Sequence, residues 1–214
     1  MSAAPAPHEG PLDAAGFAAL AGASARQVVD LERFCGLLAD WNQRMNLVGA
    51  ATLADFWGRH AWDSAQLLRL APQARTWADL GAGAGFPGVV LAVLLKGRDG
   101  AKVHLVESMA KRCRFLAEAV TSLALPAEVH NRRAEDLVLS VDVVTARACA
   151  PLARLLGFAR PYLARGAKGL FLKGQDAEAE VADAQRSWKF KHKLHQSLSD
   201  PRGRIIEIEG LTRA

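Results

Sequence analysis

The chain has 214 residues, 50% of them hydrophobic and 23% charged, with a formal net charge of +5. That length suffices for one domain, which would bury roughly 70% of the surface its unfolded form exposes. The longest apolar runs, such as residues 89–95, fall far short of the ~20 residues a bilayer-spanning helix needs, so a membrane protein is not expected.

Residues 1–22 are rich in Ala, Pro and Gly and lack the basic stretch and apolar core of a signal peptide. They read as a flexible tail on a cytoplasmic protein, with a single domain over 23–214. Over residues 25–47 a helix is expected, because Val28, Leu31, Phe34, Cys35, Leu38 and Trp41 recur at helical spacing behind Ser24, a suitable N-cap. A second helix is expected over 53–70, ending before Pro72, which completes an N-terminal helical part over 23–72. Beyond it, short apolar segments alternate with helical ones. Strands are predicted at 76–80, 102–107, 127–131, 141–146 and 169–172, and helices at 87–95, 110–123, 152–163 and 176–188. This rhythm predicts a doubly wound α/β core over 73–214, with a mostly parallel sheet covered on both faces. Residues 193–198 and 204–208 read as strands joined by the turn 199–203. That link is too short for a parallel crossover, so an antiparallel terminal pair is expected.

Cys35, Cys113 and Cys149 are too widely spaced for a metal knuckle and odd in number for a disulfide framework; they are expected as buried thiols, and no metal site is expected. The basic residues Lys111, Arg112, Arg114, Arg132, Arg133, Lys189, Lys191 and Lys193 come in short groups. They form one anion-binding surface if the fold gathers them, and ordinary solvated faces if it does not.

The chemistry is concentrated after the strand at 76–80, where Gly81, Gly83, Gly85 and Gly88 punctuate a loop that opens into a helix. In an open parallel sheet, ligands sit beyond the strand C-termini, and glycines there let backbone approach a ligand. The spacing fits a dinucleotide as well as S-adenosylmethionine, so the loop alone does not choose. Asp79 favours the second reading, because a carboxylate suits a cationic amino-acid ammonium and is ill placed beside a pyrophosphate; it also reads as a brace for the loop. Glu107, ending the next strand, offers an acceptor for ribose hydroxyls in either case.

The run from Asp79 to Gly88, followed by Leu105, Val106, Glu107, Ser108, Lys111 and Arg112, resembles the bacterial 16S rRNA guanine-N7 methyltransferases, the glucose-inhibited division protein B family. Trp41, Asn42, Met45, Asn46 and Leu47, then the stretch from Arg59 to Ser64, resemble that family's N-terminal signatures; Arg133-Ala134-Glu135, Ala146-Arg147-Ala148 and Leu172-Lys173-Gly174 follow in its order. The resemblance covers residues 28–209. It implies a Rossmann-like methyltransferase fold, S-adenosylmethionine as cofactor, and 16S rRNA or a small ribosomal subunit particle as substrate; separately, a monomer is expected. It further implies that Gly81 and Phe86 contact the cofactor, Glu107 holds its ribose, Ala134 and Glu135 border its adenine, and Arg147 stands at the cofactor and substrate face. Arg204 matches a basic residue before the last strand, although Glu207 departs from that strand's apolar pattern.

Guanine N7 carries a lone pair and no proton, so its methylation requires no general base, and the chain offers no persuasive Ser/His/Asp or Cys/His set. The substrate-side candidates are Asn46, His60, Asp63, Arg147, Lys173 and Arg204. Arg147 is alternatively an ion-pair partner, Lys173 a surface lysine, and Asn46, His60 and Asp63 a structural hydrogen-bond cluster. Two other classes stay in view: a nicotinamide oxidoreductase, which lacks a Tyr/Lys pair around the sole tyrosine Tyr162, and an RNA-binding module without catalysis.

Overall fold

The computed structural model describes residues 10–214. Its first helix, α1 (Ala14–Ala21), is capped by the Asp13 side chain and buries Phe17. The expected flexible tail is therefore corrected for this stretch, and residues 1–9 lie outside the described residues. An Ala/Gly-rich composition concealed one aromatic anchor, whose ring meets Trp57 at 5.2 Å. Helix α2 (Ala25–Asn42) starts in a capping box between Ser24 and Gln27, which satisfies two otherwise orphaned backbone groups. Its buried stripe, Leu31, Phe34 and Leu38, faces the core, and the helix stops at Asn42 rather than at residue 47, because the Asn42 side chain accepts from the Leu47 and Val48 N–H groups and turns the chain into a loop.

The single helix expected over 53–70 is instead broken. It consists of α3 (Ala50–Ala54), a π-helical stretch (Phe56–Trp62), and the short pieces α4 (Asp63–Ala65) and α5 (Leu67–Leu70). The wider π winding packs Phe56, His60, Ala61 and Trp62 inward together.

The remaining elements are β1 (Thr76–Leu80), α6 (Gly88–Leu94), β2 (Lys102–Glu107), α7 (Ala110–Ser122), β3 (Ala127–Asn131), β4 (Val143–Arg147), α8 (Leu152–Leu163), β5 (Lys168–Lys173), α9 (Ala177–Ala184), β6 (Trp188–Gln196) and β7 (Arg204–Arg213). They form one seven-stranded sheet in the order β3-β2-β1-β4-β5-β7-β6. The first five strands pair in parallel, while β7 runs antiparallel to both β5 and β6. The inner strands β1 and β4 are buried along nearly their whole length because both of their faces are covered, and their polar members Asp79, Thr145 and Arg147 are accommodated by specific partners. One face carries Val103, Leu105 and Leu170 under α2, α6 and α7; the other carries Val106, Val144 and Phe171 under α8 and α9.

The C-terminal end departs from the expected bounds: the strand expected at 193–198 spans Trp188–Gln196, and the one expected at 204–208 continues to Arg213. The helix predicted to reach residue 188 stops at Ala184, and β6 begins at Trp188. Lysine alternates with Phe190, His192 and Leu194 in this edge strand, whose exposed positions dilute its apolar signal. Cys113 is buried as expected, whereas Cys35 is half-buried and Cys149 is exposed in the loop after β4.

Candidate active site

The chain winds from β1 outward to β3, then returns to lay β4 against the other side of β1. Two adjacent parallel strands whose connections leave in opposite directions create a crevice at their C-terminal ends. The glycine loop lies there. The N–H groups of Gly81 and Ala82 both donate to the Val106 carbonyl, at 2.8 and 3.1 Å, folding the loop back over the end of β2. Glu107 then clamps it: one carboxylate oxygen accepts from the Gly83 N–H at 3.1 Å, the other from the Met109 N–H at 2.8 Å, with the Arg112 guanidinium 3.7 Å away. Gly83 has a φ of +50°, a backbone conformation that side-chain-bearing residues adopt only at a cost.

Asp79 is completely buried under the loop. Its Oδ2 accepts from the Gly88 N–H at 2.9 Å, and its Oδ1 has no hydrogen-bond partner among the described residues. Burial raises its pKa to about 7, opposed by the Gly88 hydrogen bond and the Arg147 charge and reinforced by Glu107. The brace expected of Asp79 is thus observed, and one oxygen remains uncommitted. Gly88 has to be glycine because a Cβ there would lie 2.7 Å from Asp79 Oδ2.

Beyond the loop opens a cavity of about 560 Å³, lined by Gly81 to Ala84, Phe86, His60, Asp63, Arg147, Lys173 and Arg204 among others. Arg147 is its organising cation. Its guanidinium donates to the Arg59 carbonyl at 2.9 Å, to Asp63 Oδ2 at 3.1 Å and to His60 Nδ1 at 2.8 Å, and it lies 4.9 Å over the Phe86 ring. His60 stacks on the same ring at 4.4 Å. A guanidinium can only donate, so His60 Nδ1 is the unprotonated nitrogen. Burial, then the charges of Arg147 and Arg59, hold the imidazole down to about 3.

The expected site residues separate into groups. Asp79, Gly81, Gly83, Phe86, Glu107 and Arg147 come together at the crevice, as do His60 and Asp63. Gly85 faces the core, where a Cβ would lie 2.9 Å from Phe34. Asn46 is exposed and does not join His60 and Asp63; Asn42 instead pins that loop through the backbone of Leu47 and Val48. Lys173 reaches the cavity wall, but its ammonium is held by Glu180 at 2.7 Å and the Ala150 carbonyl at 2.6 Å, so it is a structural ion pair rather than a surface lysine. Arg204 lines the cavity while donating to the Gly203 carbonyl at 2.9 Å. Ala134 and Glu135 stand outside it in a one-turn helix after β3, where the Tyr162 hydroxyl donates to the Ala134 carbonyl. That bond, with burial raising the Tyr162 pKa to about 12, leaves the sole tyrosine unfit for hydride-transfer chemistry.

A second network was not foreseen. Gln66 is buried and joins the backbone of Asp63 and Leu198 to the hydroxyls of Ser197 and Ser199, while Arg59 pairs with Asp200 at 2.8 Å. These bonds fasten the π-helical stretch to the β6–β7 turn across the cavity.

A doubly wound sheet with a carboxylate-clamped glycine loop at its switch point defines the class: the fold is that of the S-adenosylmethionine-dependent methyltransferases. A SAM dependent methyltransferase from Aquifex aeolicus superposes with a TM-score of 0.53 at 16% identity, covering 69% of this chain and 89% of that one. The chain belongs to the GidB family, rRNA small subunit methyltransferase G, whose model matches residues 27–205. It is 64% identical over 205 residues to the ribosomal RNA small subunit methyltransferase G of Caulobacter vibrioides (strain NA1000 / CB15N), covering 96% of this chain and 95% of the relative. The protein of that name from Bradyrhizobium sp. (strain ORS 278) is 47% identical over 216 residues, covering 99% and 97%.

Proposed function

We propose that the chain transfers the methyl group of S-adenosylmethionine to N7 of a guanine in the 16S rRNA of the small ribosomal subunit, working in the cytoplasm as a monomer. The observation that carries this reading is the glycine loop drawn down onto Glu107 beside the Arg147 cavity, in a chain of the rRNA small subunit methyltransferase G family. No helix among the described residues is long and apolar enough to cross a membrane.

The donor set fits the cofactor. Bound S-adenosylmethionine supplies a methyl group activated on a sulfonium. The uncommitted Oδ1 of Asp79 is the acceptor for a cationic ammonium. Glu107 accepts two backbone N–H bonds, yet a carboxylate has about four lone-pair sites, which leaves room for ribose hydroxyls. Gly81, Gly83 and Phe86 offer backbone and ring to the bound molecule, Gly85 supports them from the core side, and Ala134 with Glu135 borders the adenine.

The chain needs no general base, because guanine N7 presents a lone pair on the major-groove edge. His60 accords with this: with its Nδ1 engaged by Arg147 and its pKa near 3, it takes no proton at neutral pH. Its work is positional, holding Arg147 and Phe86 in place at the cavity wall. Orientation of the reacting groups is worth roughly 7 to 11 kcal/mol in favourable cases, and here it bears the catalytic burden. The rim offers Arg59, Arg112, Arg147 and Arg204 toward phosphates and the guanine carbonyl, where forked donors suit paired acceptors.

The test is to disrupt the gene in its host and map N7-methylguanine in small-subunit rRNA. One guanine is expected to lose its methyl group and to regain it when purified protein and S-adenosylmethionine are added to the mutant's 30S particles or extracted RNA. An unchanged map overturns the substrate.

A further inference from the structure

The connection from β3 to β4 carries only the one-turn helix Ala134–Asp136, where a doubly wound sheet ordinarily has a full crossover helix. The corner of the sheet it passes is not purely apolar. His104 of β2 is in register with Glu128 of the edge strand β3, and His130 stands two residues on, so strand alternation puts all three side chains on one face. Their ligand atoms, an imidazole nitrogen from each histidine and a carboxylate oxygen, lie within 4.8 Å of one another. None of the three lines the cavity or enters the proposed reaction.

We propose that His104, His130 and Glu128 form a binding site for a divalent transition-metal ion of the zinc class at the outer edge of the sheet. His104 Nδ1 and His130 Nε2 face each other at 2.9 Å, so their lone pairs converge on one point and must share a proton when no cation is bound. Zinc–nitrogen bonds of about 2.0–2.1 Å spread tetrahedrally need nitrogens about 3.3 Å apart, a widening that ring rotation can supply. Glu128 Oε1 is 3.9 Å from His130 Nε2 and completes a two-nitrogen, one-oxygen set that suits zinc and leaves a position for water. Burial lowers the pKa of both imidazoles, a shift in the direction of the neutral ring that metal binding requires. Two cations attend the cluster. Lys102 holds the other Glu128 oxygen at 2.6 Å, and the Arg132 charge also acts on His130. Bound metal would cross-link the edge strand to β2 three residues before the loop-clamping Glu107.

The site predicts opposite responses in neighbouring variants. Titration of untagged, chelator-treated protein with zinc chloride in a calorimeter should reveal one equivalent that is lost in His104→Ala and His130→Ala and weakened at least tenfold in Glu128→Gln. Lys102→Ala should bind more tightly, because a competing cation is gone. Cobalt(II) in place of zinc should give a visible absorption band with the same dependence on these residues. Saturating zinc should raise the melting temperature of wild type by about 5 °C or more, and that of folded His130→Ala by far less. Absence of a zinc equivalent in wild type, or an equivalent that survives both histidine substitutions, overturns the site.

Discussion

Asp79 and His60 titrate in opposite senses. The His60 pKa near 3 lies below its unfolded value of about 6.5, so the unfolded chain binds that proton first, and stability is lost as pH falls from 6.5 toward 3. The Asp79 pKa near 7 lies above its unfolded value of about 4, so the folded chain binds that proton first, and stability is lost as pH rises from 4 toward 7. The two slopes cancel over most of the shared window. Asp79→Asn keeps an acceptor for the Gly88 N–H and removes one slope. This variant is expected to melt higher than wild type at pH 8 and to lose stability on acidification below pH 6.5, as thermal scans across pH will check. If Asp79 also receives the cofactor ammonium, wild-type affinity for S-adenosylmethionine should weaken between pH 8 and pH 6 while Asp79→Asn binds weakly at both. Calorimetry at the two pH values separates that role from bracing alone. Arg147→Ala strips partners from Asp63 and His60 together, a loss of about 2–3 kcal/mol that should lower the melting temperature by roughly 5–10 °C. Single-turnover methyl transfer per folded molecule should fall by at least tenfold, and Arg147→Lys should recover little of it because one ammonium cannot reproduce three guanidinium bonds. Near-normal transfer in folded Arg147→Ala would leave the residue a purely structural role.

Among elements, β1, β2, β3 and α8 have the predicted bounds: β1, β2 and α8 bury residues in a pattern that periodicity reports, and β3, a half-buried edge strand, is delimited by the turn residues beside it. The π-helical stretch was not legible: its sequence keeps helical spacing, and the change of winding is stabilised by bonds that Arg59, Trp62, Asp63 and Gln66 make to residues 197–200, more than a hundred positions away. The site divides along the same line. Asp79, the glycines, Phe86 and Glu107 lie within two adjacent βα turns and could be read as a motif, whereas the Lys173–Glu180 pair and the Gln66 network exist only once distant segments meet. Gln66→Ala tests that network. It leaves the Leu198 N–H without its acceptor, at about 1–3 kcal/mol, removes one donor from Ser197, whose hydroxyl keeps its bonds within the turn, and frees the turn over the cavity. Hydrogen exchange at residues 197–203 should quicken, with a rise in KM for RNA exceeding the fall in kcat; unchanged exchange there would show that the turn is held by other contacts.

For the whole molecule, the sheet order decides which basic residues can act together. Lys189, Lys191 and Lys193 sit on β6, at the edge opposite β3, and Lys191 and Lys193 stand across from Glu209 and Glu207 of β7. Glu207, the charge that interrupted an apolar pattern, is buried and paired with His195 at 2.7 Å and Lys168 at 3.3 Å. The eight basic residues grouped by sequence therefore do not form one surface. Those following the C-terminal ends of β2 and β3, including Lys111, Arg112, Arg132 and Arg133, share the end of the sheet where the cavity opens, with Arg59 and Arg204 on its rim. An RNA strand delivering a guanine to that cavity must pass this end, and each phosphate it places on a cation releases a counterion. Neutralising Arg133 and Arg204 together (Arg133→Gln with Arg204→Gln) should weaken RNA binding and reduce the slope of log affinity against log salt by about 0.7 per lost contact, the value for single strands. Lys189→Gln with Lys191→Gln removes the same formal charge from the far edge and should change neither quantity by more than the small effect of net charge. Fluorescence titrations of a guanine-containing 16S rRNA fragment across a range of salt concentrations measure both, and equal losses in the two double variants would mean that the RNA path runs along β6 as well.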